Sequence, residues 1–278
     1  MMPRSFDPGN PGASPLGDAV SSAASARTHL RLLSYNIQVA IASTRLRHYI
    51  TQSWKHFLPH PQSFNNLDRI AEITHSYDMV ALQEVDAGSL RSQFVNQVEY
   101  LAQKGNFPFW HSQTNRNFGK FAQASNGFLS QIRPTDVMEH KLPGLIPGRG
   151  AIVVRFGQTG QELVLILAHL ALGMRARLTQ LAYIAEIANG YEHVILMGDL
   201  NCQPHSREMR TLIHNTHFCP PCCNTQTFPS WRPARQLDYI LVTPSLQVNS
   251  AHVINHAVSD HLPMAIDITL PEGVHIAG

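Results

Sequence analysis

Ser259-Asp260-His261-Leu262-Pro263, followed at once by the apolar run Met264 to Ile268, is the stretch on which the reading of this chain turns. A carboxylate and an imidazole side by side at the mouth of a strand can serve one reaction, the first holding a divalent cation and the second meeting a phosphate or a proton. Alone, an Asp-His pair reads more readily as a solvated loop before a strand. Its company decides. Four more apolar runs end in a polar residue able to meet the pair: Leu32 to Asn36, Met79 to Glu84, Leu163 to His169 and Val194 to Asn201. Five such ends converging on one cleft form an active-site pattern.

Working outward, the segments between these ends alternate strand and helix, which predicts an α/β chain. Leu30 to Tyr35 is a strand ending in Asn36, and Ile37 to Ser43 leaves it as a loop. Leu67, Ile70, Ala71 and Ile73 share one helical face from about Asn66, with Asn65 or Asn66 as the cap. Phe94, Val98 and Leu101 predict a second helix between Ser92 and Lys104, closed by Gly105. A strand from Phe107 to Trp110 leads into a loop, Asn115 to Ser125, whose Arg116 and Lys120 either touch phosphate or are solvated. Gly150 to Phe156 and Leu163 to Ala168 form a hairpin through Gly157 to Gly160.

Next comes a helix from Met174 to Asn189. Arg175 and Arg177 sit in its first turn, where the helix dipole disfavours cations, so either an anion compensates or they lie exposed. In Met197-Gly198-Asp199-Leu200-Asn201 the glycine permits a tight backbone, and Asp199 and Asn201, two apart, fall on one side. A short helix from Ser206 to His214, a strand from Leu237 to Val242 with Asp238 at its entrance, and the last strand, Met264 to Leu270, complete the order.

The 278 residues are 44% hydrophobic and 14% charged, ample for a core. The polar strand ends scatter from Asn36 to His261, so a domain cut anywhere between would separate partners. One domain over residues 28–272 is expected, behind a tail of residues 1–27 rich in Pro, Gly, Ser and Ala that cannot offset the cost of ordering a backbone. The formal net charge of +2 excludes a protein that holds nucleic acid by charge alone. The aromatic and basic segment Thr44 to Phe64, with Trp54, either lines a substrate groove or packs as a surface loop. Cys219, Cys222 and Cys223, near Cys202, read as a metal knuckle or a reduced loop. The N-terminal residues lack the apolar core of a secretory signal, and the longest apolar run, Leu163 to Leu172, is about half the roughly 20 residues a membrane span needs. A cytoplasmic location is expected.

Six motifs in order carry a resemblance: Leu-Ser-Tyr-Asn36, Ala-Leu-Gln-Glu84, Ala-His169-Leu, Met-Gly-Asp199-Leu-Asn201, Leu-Asp238-Tyr-Ile and Ser-Asp260-His261-Leu-Pro. From about Leu30 to Leu270 the chain resembles the endonuclease/exonuclease/phosphatase family, the deoxyribonuclease I-like metal-dependent phosphohydrolases. The resemblance implies a four-layer α/β sandwich, two mixed β-sheets packed face to face and flanked by helices, with the active site at one end. It implies Glu84 as a metal-binding carboxylate with Asn36 and Asp260 beside it, and Mg2+ (or Mn2+) as the ion. It further implies that Asp199 positions or deprotonates the attacking water, that Asn201 helps hold water and phosphate, that Asp238 orients His261, and that His169 and His261 meet the phosphate.

Oxygen ligands without a thiol suit magnesium or manganese. The expected reaction is metal-assisted attack of water on phosphorus by a phosphodiesterase or nuclease, with nucleic acid favoured by a small margin over a lipid or small molecule. A phospholipid or small-molecule phosphodiesterase or phosphatase, and a silent binding module, are the alternatives. The chain also departs from its relatives. Gln38 stands where the abasic-site endonucleases place a second acidic ligand, and Asn126-Gly127-Phe128-Leu129-Ser130 offers no acidic partner for His169.

Overall fold

A computed structural model describes residues 27–40, 63–117, 123–144, 148–221 and 225–276. The expected tail up to residue 26, Trp54 with most of its aromatic and basic segment, Lys120, Cys222 and Cys223 lie outside the described residues. Among the described residues eleven strands form two sheets. The first holds β1 (His29–Asn36), β2 (Met79–Val85), β3 (Phe109–Asn117), β4 (Gln123–Ser130), β10 (Gln247–Val253) and β11 (Met264–Thr269) in the order β10-β11-β1-β2-β4-β3. The second runs β5-β6-β7-β8-β9, from β5 (Asp136–Lys141), β6 (Gly150–Phe156), β7 (Leu163–His169), β8 (His193–Asp199) and β9 (Asp238–Val242). In each sheet one pair is parallel, β1 with β2 and β7 with β8, so both are mixed.

Alternation along the strands produces the layers, since successive side chains point to opposite faces. Leu30 and Leu32 of β1, Met79 and Ala81 of β2, and Leu163, Leu165 and Leu167 of β7 meet between the sheets. Leu33 and Tyr35 point the other way, onto α1 (Ser63–Thr74) and α2 (Gln97–Lys104), packing on Leu67, Ile70, Val98 and Leu101. Val164, Ile166 and Ala168 pack on α3 (Met174–Ala188) and α4 (Arg207–Asn215). The result is the four-layer sandwich, and β7, apolar on both faces, is buried throughout. Among the described residues no helix is long and apolar enough to cross a membrane.

Several local expectations change. Helix α1 already contains Asn65 and Asn66, so neither caps it. Residues Leu90–Ser92 form a separate 3-10 turn, and α2 starts only at Gln97, where the Asn96 side chain accepts from the amides of Val98 and Glu99. Gly105 ends α2 without a left-handed backbone; Asn106 takes that conformation (φ 56), while a Cβ at Gly105 would stand 2.8 Å from the Phe107 ring. Within the expected loop Asn115 to Ser125 the described residues are strand, since β3 runs to Asn117 and β4 begins at Gln123. In the first turn of α3, Arg175 is exposed, whereas Arg177 donates through Nε to Glu208 at 2.9 Å and to the carbonyls of Ala171 and Leu172, which supplies the compensating anion.

Candidate active site

Parallel pairing brings the C-terminal ends of β1 and β2, and of β7 and β8, to one end of the sandwich. Strands β9 and β11 run antiparallel to β8 and β1, so their beginnings lie at that same end. Register does the rest: His169 sits opposite Asp199, and Asp199 opposite Asp238, in one row across the second sheet. Gly198 makes that row possible. It faces Ala168 with φ 139, and a Cβ there would lie 1.9 Å from the Ala168 carbonyl oxygen. Glu84 is aimed by a different device, an irregularity in the β2–β4 pairing between Leu82 and Val85, with its own backbone at φ 55. Bulges of this kind re-aim side chains beside functional sites.

The side chains form a connected set. Asn36 Nδ2 donates to Asp199 Oδ2 at 3.2 Å, and the Asn201 amide donates to Asp199 Oδ1 at 2.9 Å. His169 Nε2 lies 3.6 Å from Asp199 Oδ2 and 3.7 Å from Glu84 Oε1. His261 Nε2 lies 3.9 Å from Asp199 Oδ2, while its Nδ1 is 2.8 Å from Asp238 Oδ2. Asn201, with φ 51, anchors its Nδ2 on the Leu170 carbonyl. Asp260 is buried and hydrogen-bonds Ser259, and its main-chain carbonyl accepts from Ser230; no hydrogen bond joins it to Glu84 among the described residues.

Burial and mutual repulsion set the charges. Burial first, and then Asp238 and Glu84, lift the Asp199 carboxyl to about 7 despite the opposing pull of His261 and the Asn201 amide. Burial, then Glu84 and Asp238, lift Asp260 to about 6 against His261 and Ser259. For His261 burial alone would lower the value, but Asp238, Asp199 and Asp260 outweigh it and raise the imidazole to about 10. His169 moves the other way: burial, then Arg149, then His261 push it well below the ordinary histidine value.

Among the described residues, Asp199, Asp238 and His261 offer metal-ligating atoms within 4.8 Å of one another. Asp238 Oδ2 is already engaged by His261 Nδ1 and by the Thr227 hydroxyl, which orients the imidazole, while its buried Oδ1 has no hydrogen-bond partner among the described residues. Glu84, Asp260 and Asn36 are oxygen donors of the kind a hard cation takes. They present oxygens, Glu84 remains about two-fifths exposed (39%), and its charge helps raise the Asp260 carboxyl, as happens where positive charge is short.

All eight residues singled out from the sequence lie at this end or in its loops. Four supporting residues carried no role in the sequence reading. Ser259 donates its hydroxyl to the Asn36 carbonyl at 2.7 Å and ties the Asp260-His261 loop to β1. Thr227 hydrogen-bonds Asp238, and the Phe228 ring lies 4.8 Å from the His261 ring. Arg149 Nη1 donates to His169 Nδ1 at 2.8 Å. The hairpin carried a signal for Arg149: with Ala151 paired to Ala168, the residues just before β6 must run alongside His169.

The sequence model of the Endonuclease/Exonuclease/phosphatase family matches residues 33–261. Among curated proteins no sequence matches. Solved structures share the fold. An endonuclease/exonuclease/phosphatase from Beutenbergia cavernae is 20% identical with a TM-score of 0.68, covering 88% of this chain and 72% of its own. A family protein from Bacteroides thetaiotaomicron is 16% identical with a TM-score of 0.66, covering 87% and 98%. A mannosyl-6-phosphatase from the same organism is 17% identical with a TM-score of 0.64, covering 87% and 100%.

Proposed function

Because the chain belongs to the endonuclease/exonuclease/phosphatase family, we propose that it is a Mg2+-dependent phosphodiesterase that directs water onto phosphorus. Family membership supports phosphoester hydrolysis in general. The observation that carries the finer reading is the setting of Asp199, a carboxylate lifted to about 7 between two imidazoles and an amide donor. A base of that strength takes a proton from water near neutrality. The Asn36 and Asn201 hydrogen bonds fix its two oxygens, so the proton is received at a defined place.

Glu84, with Asn36 and Asp260, would hold Mg2+ or Mn2+. Bound there, the ion supplies positive charge against the phosphoryl oxygens and favours ionisation of water. His261, cationic through Asp238, offers its Nε2–H to the charge that grows on those oxygens, and His169 offers a second donor. Asn201 lines the same place and holds water and phosphate.

For substrate, a nucleic-acid strand is favoured by a small margin over a lipid or a small phosphodiester. Arg232 and Arg235 are exposed on the loop beside His261, and the Arg235 guanidinium lies 5.8 Å from the Phe228 ring centre, a rim suited to phosphate and base. The net charge of +2 favours a short segment over a long polyanion. We propose one catalytic domain over residues 28–272 and a cytoplasmic location.

The test is a panel of plasmid DNA, single strands, an abasic-site duplex, sphingomyelin, a sugar phosphate and a chromogenic phosphodiester, each with Mg2+ and with chelator. Turnover that needs the metal and disappears in Glu84→Gln is expected. Failure across the panel would promote a silent binding module, and turnover indifferent to chelator would remove the metal from the reading.

A further inference from the structure

The two imidazoles of the site are pinned by partners of opposite kind. His261 Nδ1 faces a carboxylate oxygen of Asp238 and must donate to it. His169 Nδ1 faces the Arg149 guanidinium at 2.8 Å. Guanidinium has five N–H donors, no acceptor, and does not lose its proton in a protein. The bond therefore has one polarity: Arg149 gives the hydrogen and Nδ1 gives the lone pair.

We propose that Arg149 is a positioning residue that fixes the tautomer of His169, keeping Nδ1 bare and the ring proton on Nε2. That proton points between Glu84 Oε1 and Asp199 Oδ2, at 3.7 and 3.6 Å, both beyond hydrogen-bond distance. It is held ready for an incoming phosphoryl oxygen. The functional half of this inference rests on the reading of His169 as a phosphate contact; the tautomer itself does not.

The main chain around Arg149 is built to keep it there. The Arg149 carbonyl accepts from the Leu142 amide at 3.0 Å, and the neighbouring Gly150 carbonyl accepts from Asn126 Nδ2 at 3.0 Å. A Cβ at Gly150 would lie 2.1 Å from Asn115 Oδ1 and 2.4 Å from Gln113 Oε1, so the side chains of β3 reach directly onto the start of β6. Asn126, in a stretch without an acidic partner for His169, thus helps hold the strand that delivers a basic one.

A fixed tautomer divides the labour of the two rings. His261 brings positive charge, while His169 brings one directed N–H and cannot accept a proton at Nδ1 without displacing Arg149. The water's proton then goes to Asp199 and not to the imidazole beside it.

Long-range 1H–15N correlation of ring-labelled histidine tests the structural half without any substrate. The Nε2–H pattern is expected for His169 in the wild-type protein. It should be lost or mixed in Arg149→Met and kept in Arg149→Lys, which restores a donor. An Nδ1-protonated wild-type ring, or a ring signal unchanged in Arg149→Met, overturns the proposal. If Arg149→Met does not fold, the wild-type spectrum alone decides. With the chromogenic phosphodiester, Arg149→Met should lower kcat about 10- to 100-fold with KM nearly unchanged, the range seen when an outer partner of an active imidazole is removed, and Arg149→Lys should recover part of it. A raised KM with kcat intact would mean that Arg149 grips substrate itself, which also overturns the positioning role. Absence of turnover with the expected spectrum would count against the phosphodiesterase reading alone.

Discussion

Asp238 Oδ2 lies 2.8 Å from His261 Nδ1, and the carboxylate that makes this contact is completely buried. A buried charge persists only when paired, so the imidazole and the carboxylate hold each other in place. Asp238→Asn should therefore cost at least about 10²-fold in kcat, as should His261→Ala and Asp199→Asn, the lower bound usual for loss of a positioned acid, base or charge. Steady-state rates on a chromogenic phosphodiester measure it. Near wild-type turnover in any of the three removes the mechanism.

Gly198 tests whether the row of His169, Asp199 and Asp238 depends on close strand approach. Gly198→Ala places a methyl 1.9 Å from the Ala168 carbonyl oxygen at φ 139, and should destabilise by at least about 2 kcal/mol in urea unfolding. Gly160→Ala is the control, because its Cβ meets nothing and only the left-handed backbone (φ 90) is strained, costing about 1 kcal/mol. Equal losses would show that the contact with β7 is unimportant.

Metal affinity should depend on pH. Asp260, at about 6, holds a proton in much of the population below that value, and a cation must displace it. For one displaced proton, Mn2+ or Mg2+ binding weakens roughly tenfold per pH unit well below 6 and levels off above it. Calorimetry at constant ionic strength reads both the affinity and the proton released. A flat affinity between pH 5 and 7.5 would exclude Asp260 as a ligand.

His140, on β5, tests pH-linked stability away from the site. Burial lowers its pKa below the unfolded value of 6.5, and its Nδ1 lies 2.9 Å from the Tyr183 hydroxyl. The unfolded chain therefore binds this proton first. Its contribution is fully present above pH 6.5 and is lost as pH falls from there toward the folded pKa. Asp199 and Asp260 act with the opposite sign, so the informative quantity is the difference from His140→Gln, which should lose less stability on acidification than the wild type.

The parts of the fold that read clearly from the sequence are those where one physical signal acts alone. Strand β7 is apolar on both faces, the β6–β7 hairpin has glycines at its turn, and polar residues close the strands that meet at the site. Strands β5 and β10 give no such signal because edge strands bury little: the pattern of β10 is mostly exposed and shows no apolar alternation. The end of β3 reads as loop because Asn115 and Asn117 are loop formers by composition, yet Arg116 and Asn117 pair with β4, and Asn115 sits in the irregularity between Thr114 and Arg116. At the site, the residues that touch chemistry were legible because their side chains are unusual at strand ends. Arg149, Thr227 and Ser259 were not, since each acts through a contact made only after the chain folds.

Asn36 and Glu84 are carried by one sheet, and His169, Asp199 and Asp238 by the other. The gap between the two halves of the pocket is therefore a spacing set by apolar side chains such as Leu32, Ala81, Leu167 and Met197, which touch nothing reactive. Thinning that layer by one truncated side chain would let the halves drift by fractions of an ångström while the secondary structure survives. The reaction rate is then a gauge of sandwich thickness, and it should fail at remote oily positions before the protein unfolds.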